Sequence, residues 1–169
     1  MRRTFQEICM SKLRRIRTPE LDRLEGYLSA AQHVFFKGEL EVRLDAALFE
    51  ITSNDISDEE VVLAAYPDGF NPIEHRAACS IKEMMDRVNN ILSITKAFWK
   101  PEYSARERVE DHLREGYWQH VKSCFDYTYA RIVELGHNVP YVNIGGGFTY
   151  ILYAADMSRC LVLMGNTCD

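Results

Sequence analysis

His75 and Cys79 stand four residues apart, and so do His120 and Cys124. On helices, each pair would share a face. Two imidazoles and two thiolates are a ligand set suited to tetrahedral zinc. Helical geometry opposes their convergence. His120 and Cys124 fall in the apolar stripe of their segment, whereas Cys79 lies roughly 160° round from Ile81, off its own stripe. Helices packed by their stripes would not gather the four side chains, so no metal site is expected. Cys79 is the more interesting thiol. Near a helix start and flanked by Arg76 and Lys82, it would sit in a field that favours thiolate, and a thiolate can take an electrophile. Ala77 and Ala78 are small and leave the neighbouring surface open. By these residues alone, the plain reading is a free surface cysteine.

Other catalytic patterns are weaker. Gly145-Gly146-Gly147 lacks the Gly-Lys-Ser/Thr ending of a phosphate loop and reads as a flexible turn. There is no GxSxG and no HExxH. His112, His120 and Cys124 could serve a small enzyme or ligand-binding protein, but His112 falls on the polar face of its helix. The five cysteines are widely spaced with no CxxC pair, which suggests reduced thiols in an intracellular protein.

These residues belong to a chain of 169, with 47% hydrophobic and 27% charged residues and a net charge of −5. That balance is globular, and the length suits a single domain over 1–169. It excludes a collagenous or disordered chain. No apolar run is long enough to span a bilayer. Residues 2–17 carry six basic side chains against Glu7 alone, a sum of +5, so the remainder sums to −10. Phe5, Ile8, Cys9, Leu13 and Ile16 recur at helical spacing there, which predicts an amphipathic helix docked on an acidic body. An acidic chain disfavours nucleic acid as a partner.

Helical periodicity dominates the elements. Thr18-Pro19-Glu20 starts a helix whose stripe is Leu21, Leu24, Leu28, Ala31 and Phe35. Residues 39–45 alternate like a strand, but Leu40, Leu44, Ala47, Leu48 and Ile51 favour a helix over the longer stretch. Ser57-Asp58-Glu59-Glu60 starts a short helix. Asn71-Pro72 opens another, with a stripe of Ile81, Met84, Met85, Val88, Ile91 and Leu92, closed by Pro101. The longest helix is expected from Ser104 to about Leu135. Residues 148–164 fit either a hairpin with a turn at 156–159 or a helix.

Four collinear blocks carry a family resemblance. Leu21-Asp22-Arg23-Leu24-Glu25-Gly26-Tyr27-Leu28 resembles the early helix of phycobiliproteins, above all the allophycocyanin β-type subunits. Pro67, Gly69 and Asn71 look like the turn before that family's chromophore. Arg76-Ala77-Ala78-Cys79 is similar to its attachment segment. Glu107-Arg108-Val109 with Leu113-Arg114-Glu115 and Tyr117 is similar to a later helix.

The resemblance implies an all-α, globin-like bundle with two extra N-terminal helices; the alternative is α+β with a C-terminal β-hairpin. It implies a non-enzymatic light-harvesting subunit. A phycocyanobilin-like linear tetrapyrrole would be joined to Cys79 by a thioether, as a thiolate adds to an activated double bond. Arg76 and Lys82 would pair with propionates, Glu83 would stand for the family's aspartate, and Tyr117 would lie beside the pigment. Ser80 is an extra residue, which turns Lys82 and Glu83 by about 100° from the family's positions. Partners would be a homologous subunit and linker proteins in an oligomer. The location would be the cytoplasm or the stromal side of a photosynthetic membrane. The alternative function is a cofactor-free helical protein-protein interaction module, or a small ligand-binding protein or enzyme of unknown chemistry.

Overall fold

The computed structural model describes residues 12–35, 41–53, 55–67, 76–92, 104–135 and 147–168. Along them run β1 (Leu13–Arg15), α1 (Pro19–Phe35), β2 (Glu41–Ile51), α2 (Asp58–Ala65) and β3 (Arg76–Cys79). Then follow α3 (Ile81–Ile91), α4 (Ser104–Cys124), β4 (Arg131–Leu135), β5 (Gly147–Tyr153) and β6 (Arg159–Cys168). The strands form a six-stranded sheet in the order β1-β2-β6-β5-β4-β3. Each neighbouring pair is antiparallel.

Both faces of this sheet are buried. On the first, Leu44, Ala46 and Leu48 of β2, Tyr150 and Leu152 of β5, and Leu161 and Leu163 of β6 meet α1, α3 and α4. Leu21, Leu24 and Leu28 of α1, Met84 and Val88 of α3, and Tyr117 and Val121 of α4 fill that layer. On the second face, Ala47, Phe49, Ile151, Tyr153, Val162 and Met164 meet Val61, Val62 and Ala65 of α2. The architecture is therefore α+β, not an all-α globin-like bundle. The C-terminal hairpin of the alternative reading is present as β5 and β6.

Four expectations are corrected here, each for a physical reason. Residues 41–51 are a strand, not a helix. A strand covered on both faces has apolar residues at odd and even positions, and such a run satisfies a helical template as well. The long helix stops at Cys124, because Asp126 accepts hydrogen bonds from the Thr128 N–H at 3.1 Å and hydroxyl at 2.6 Å, a local turn that competes with helix. The β-branched Ile132 and Val133 beyond it enter β4. Cys79 lies in β3, and its helix begins one residue later at the Ser80 cap. The basic start is a strand over 13–15, with residues 1–11 outside the described set.

Two glycines are required by close approaches. Phe148 on β5 lies directly opposite Gly165 on β6. A Cβ at Gly165 would stand 2.4 Å and 2.5 Å from the Phe148 ring and 3.0 Å from Leu44. Between α1 and α4, a Cβ at Gly116 would lie 2.6 Å from the Tyr27 hydroxyl oxygen. That hydroxyl donates to the Leu113 carbonyl, and the Tyr27 ring lies 4.7 Å from that of His120.

Candidate functional site

The residues around Cys79 do not assemble a thiolate site. Successive strand side chains alternate between faces, so Arg76 and Cys79, three apart, point to opposite sides of the sheet. Arg76 sits 3.6 Å from Asp58 and 3.6 Å from Glu59 of α2, on the second face. Cys79 packs at the border of the first-face core. Its thiol donates to the Ser80 carbonyl at 3.3 Å. Burial, then the carboxylates of Glu134 and Glu83, push the thiol pKa up, and Arg87 offsets them only in part. The field therefore disfavours the thiolate that the sequence suggested.

Glu83 is engaged in a capping box. Ser80 N–H donates to its carboxylate at 2.8 Å, and Glu83 N–H donates to the Ser80 hydroxyl at 3.2 Å. Lys82 is exposed and lies 3.4 Å from Asp86. Tyr117 is buried in the first-face core, edge-on to Trp118 at 4.9 Å. Cys124 is buried beneath the same helices, and burial raises its thiol pKa to about 11. His112 is exposed. His75 lies outside the described residues. Among the described residues, no three His, Cys, Asp or Glu side chains are grouped to hold a metal.

A denser constellation surrounds β1. The Lys12 ammonium lies 3.0 Å from Glu60 and 3.2 Å from Asp55, and donates to the Asp55 carbonyl at 3.1 Å. Glu60 is buried and also accepts from Ser57 N–H at 2.8 Å, closing the capping box of α2. Burial raises the Glu60 pKa, but the Ser57 N–H and the Lys12 ammonium outweigh it and hold the carboxyl below its ordinary value. Asp55 is likewise lowered, by the Ser53 hydroxyl and then by Lys12. Next along the strand, Leu13 is buried in the second-face core. Arg14 pairs with Glu50 across the ladder, and Arg17 with Asp22 at 2.6 Å and Glu25 at 3.0 Å. The described part of the basic start, residues 12–17, thus docks on acids of the body, with Lys12 helical and Leu13–Arg15 an edge strand.

The Lys12 partners, Asp55 and Glu60, lie 43 and 48 residues away in the chain, beyond any local spacing. A local signal was present in Ser57-x-x-Glu60 and again in Ser80-x-x-Glu83, both capping-box patterns that reserve the glutamate for a backbone N–H. A further cluster docks α2 on the second face. The Tyr153 hydroxyl donates to Asp58 at 2.6 Å, and the Arg131 guanidinium lies 4.1 Å from the Tyr153 ring centre.

No known family profile matches the sequence, and no curated protein does. Solved structures do match. A crystal structure of citrus MAF1 in space group P 31 2 1 aligns with a TM-score of 0.57 and 12% identity, covering 88% of this chain and 98% of that chain. Its C 2 2 21 crystal form gives 0.55 and 11%, covering 88% and 99%. This chain is similar in fold to citrus MAF1. At such identity the likeness concerns the fold alone. The MAF1-like sheet overturns the phycobiliprotein resemblance, and with it the light-harvesting function that the resemblance implied. The matched attachment segment is an edge strand, and its neighbours in sequence are divided between two sheet faces. The blocks on α1 and α4 matched because amphipathic helices share spacing and composition across unrelated folds. Among the described residues, no helix is long and apolar enough to cross a membrane.

Proposed function

We propose that this protein is a non-enzymatic, cofactor-free protein-binding module. One observation carries the reading. The basic segment 12–17 lies in a rim of acids contributed by α1, β2, α2 and the loop before α2. A body that holds a basic chain segment through both backbone and charge has the chemistry of a strand-binding surface. Several described residues with catalytic potential are otherwise engaged. Glu83 caps a helix, Tyr117 and Cys124 fill the core, and His120 lies tilted against the Tyr27 ring. Free thiols at Cys79, Cys124 and Cys160 suit the intracellular location that belongs to this proposal. Size-exclusion chromatography of the full chain in native extract tests it. A stoichiometric protein complex that dissociates as salt is raised is expected. A persistent monomer at low salt would remove the reading.

A further inference from the structure

We infer that β1 is a releasable occupant of a strand-docking groove, and that a partner's extended basic segment takes the same place. This inference rests on the protein-binding reading above and names the class of partner.

The groove has a backbone part and a side-chain part. On the backbone, Thr52 N–H donates to the Lys12 carbonyl at 2.9 Å, and Ile16 N–H donates to the Leu48 carbonyl at 3.0 Å. Between them, Leu13, Arg14 and Arg15 lie opposite Ile51, Glu50 and Phe49. Three side chains of the segment have their own receptors. Lys12 enters the acids Asp55 and Glu60. Leu13 enters the apolar second-face layer with Phe49, Val61 and Val62. Arg14 meets Glu50. Read from the groove, the ligand is a segment extended over the positions of Leu13–Arg15, apolar at the first and basic at the second, with a lysine just before the strand. Alternate pockets with a shared ladder are the usual means by which a sheet edge selects a peptide.

The resident strand is also suited to leave. It is three residues long, at the edge of the sheet, with Leu13 as its buried apolar anchor. The Arg14 side chain is 70% exposed. By contrast β2 and β6 are paired over ten residues in the middle of the fold. Local opening draws on segments with few buried contacts, so β1 can detach without the sheet unfolding. A tethered strand competes at a high effective concentration, which keeps the groove closed until the tethered strand is weakened or a better ligand arrives.

The test uses the full chain and a fluorescent peptide of residues 12–17, Lys-Leu-Arg-Arg-Ile-Arg. Arg14→Glu sets like charges opposite each other at Glu50 and weakens the resident strand without altering the groove. It is expected to bind the peptide about fivefold more tightly than the parent. Adding Glu50→Lys is expected to abolish that gain. Equal affinity in parent and Arg14→Glu, or indifference to Glu50→Lys, would overturn the inference. Hydrogen exchange on the parent chain needs no variant. The Ile16 and Thr52 amides are expected to exchange well before those of Leu161 and Val162. If all four exchange together, β1 is not releasable and the inference fails. A natural complex that ignores both substitutions would sink the groove yet leave the binding-module reading standing. Peptide binding by a chain that stays monomeric in extract would do the reverse.

Discussion

Cys79 shows how far a residue's chemistry depends on its neighbours. Arg76 and Lys82 flank it in sequence, yet Arg76 serves α2 and Lys82 pairs with Asp86. The groups that act on the thiol are Glu134 and Glu83, and they add to burial in raising its pKa. Iodoacetamide at pH 7.4 should therefore modify Cys79 more slowly than an unstructured cysteine. Faster modification, followed by mass spectrometry, would contradict the described field. Cys160 is fully buried, with its pKa pushed up to about 12, and should react only as the chain unfolds. Gly165 makes a second residue-scale case. Replacing a strand glycine with alanine usually stabilises. Here the new Cβ would strike the Phe148 ring, so Gly165→Ala should cost about 1–3 kcal/mol in urea unfolding. Phe148→Leu in the same chain should recover part of that loss; additive losses would show that the contact is not the cause.

Helix starts and strand edges belong to the next scale. Thr18-Pro19 and Ser57 start helices as their residue types require, with the Thr18 hydroxyl accepting from Leu21 N–H at 3.1 Å and the Ser57 hydroxyl from Glu60 N–H at 3.2 Å. Ser80 does the same for α3, accepting from Glu83 N–H at 3.2 Å. Ser80→Ala should lower stability by about 1 kcal/mol, and a thermal melt unchanged from the parent would refute that role for the cap. The clasp between β1 and α2 carries a pH dependence. Asp55 and Glu60 have pKa values below their ordinary ones in the fold. Groups depressed in this way add stability above their unfolded pKa and lose it as pH falls through the folded value. The urea midpoints of parent and Lys12→Met should thus differ most near neutrality. The gap should close on acidification below about pH 4, the ordinary carboxylate range. A gap that is the same at pH 7 and pH 3 would dispose of this linkage.

At the scale of the molecule, a sheet buried on both faces explains why periodicity misled. The stripes of α1, α3 and the later part of α4 were legible, because each of these helices has one face to the core. Their Leu21, Leu24, Leu28, Met84, Val88, Tyr117 and Val121 are buried as the spacing predicts. β2 and the segment beyond Cys124 were not legible, because two-sided burial erases the alternation that marks a strand. The MAF1-like arrangement also decides what the surface can do. Basic residues 12 and 14 meet acids of the body at one sheet edge. A complex formed through that edge should weaken steeply between low and physiological salt, since exposed ion pairs are screened. Salt-independent association in size-exclusion chromatography would place the contact elsewhere.

The amino-acid sequence by itself determined the helix starts at Thr18 and Ser57, three apolar helix faces and the opposition of a basic start to an acidic body. These are local matters of side-chain type and spacing, and they hold in any fold that the chain adopts. Tertiary structure alone decided the sheet, the face on which each strand residue lies, and the partners of Lys12, Arg76 and Cys79. Strand pairing joins residues as distant as Arg43 and Asn166, and no local pattern encodes which distant segment supplies the ladder. That is why the choice between a helix bundle and an antiparallel sheet, and with it the chemistry open to Cys79, was settled by long-range packing.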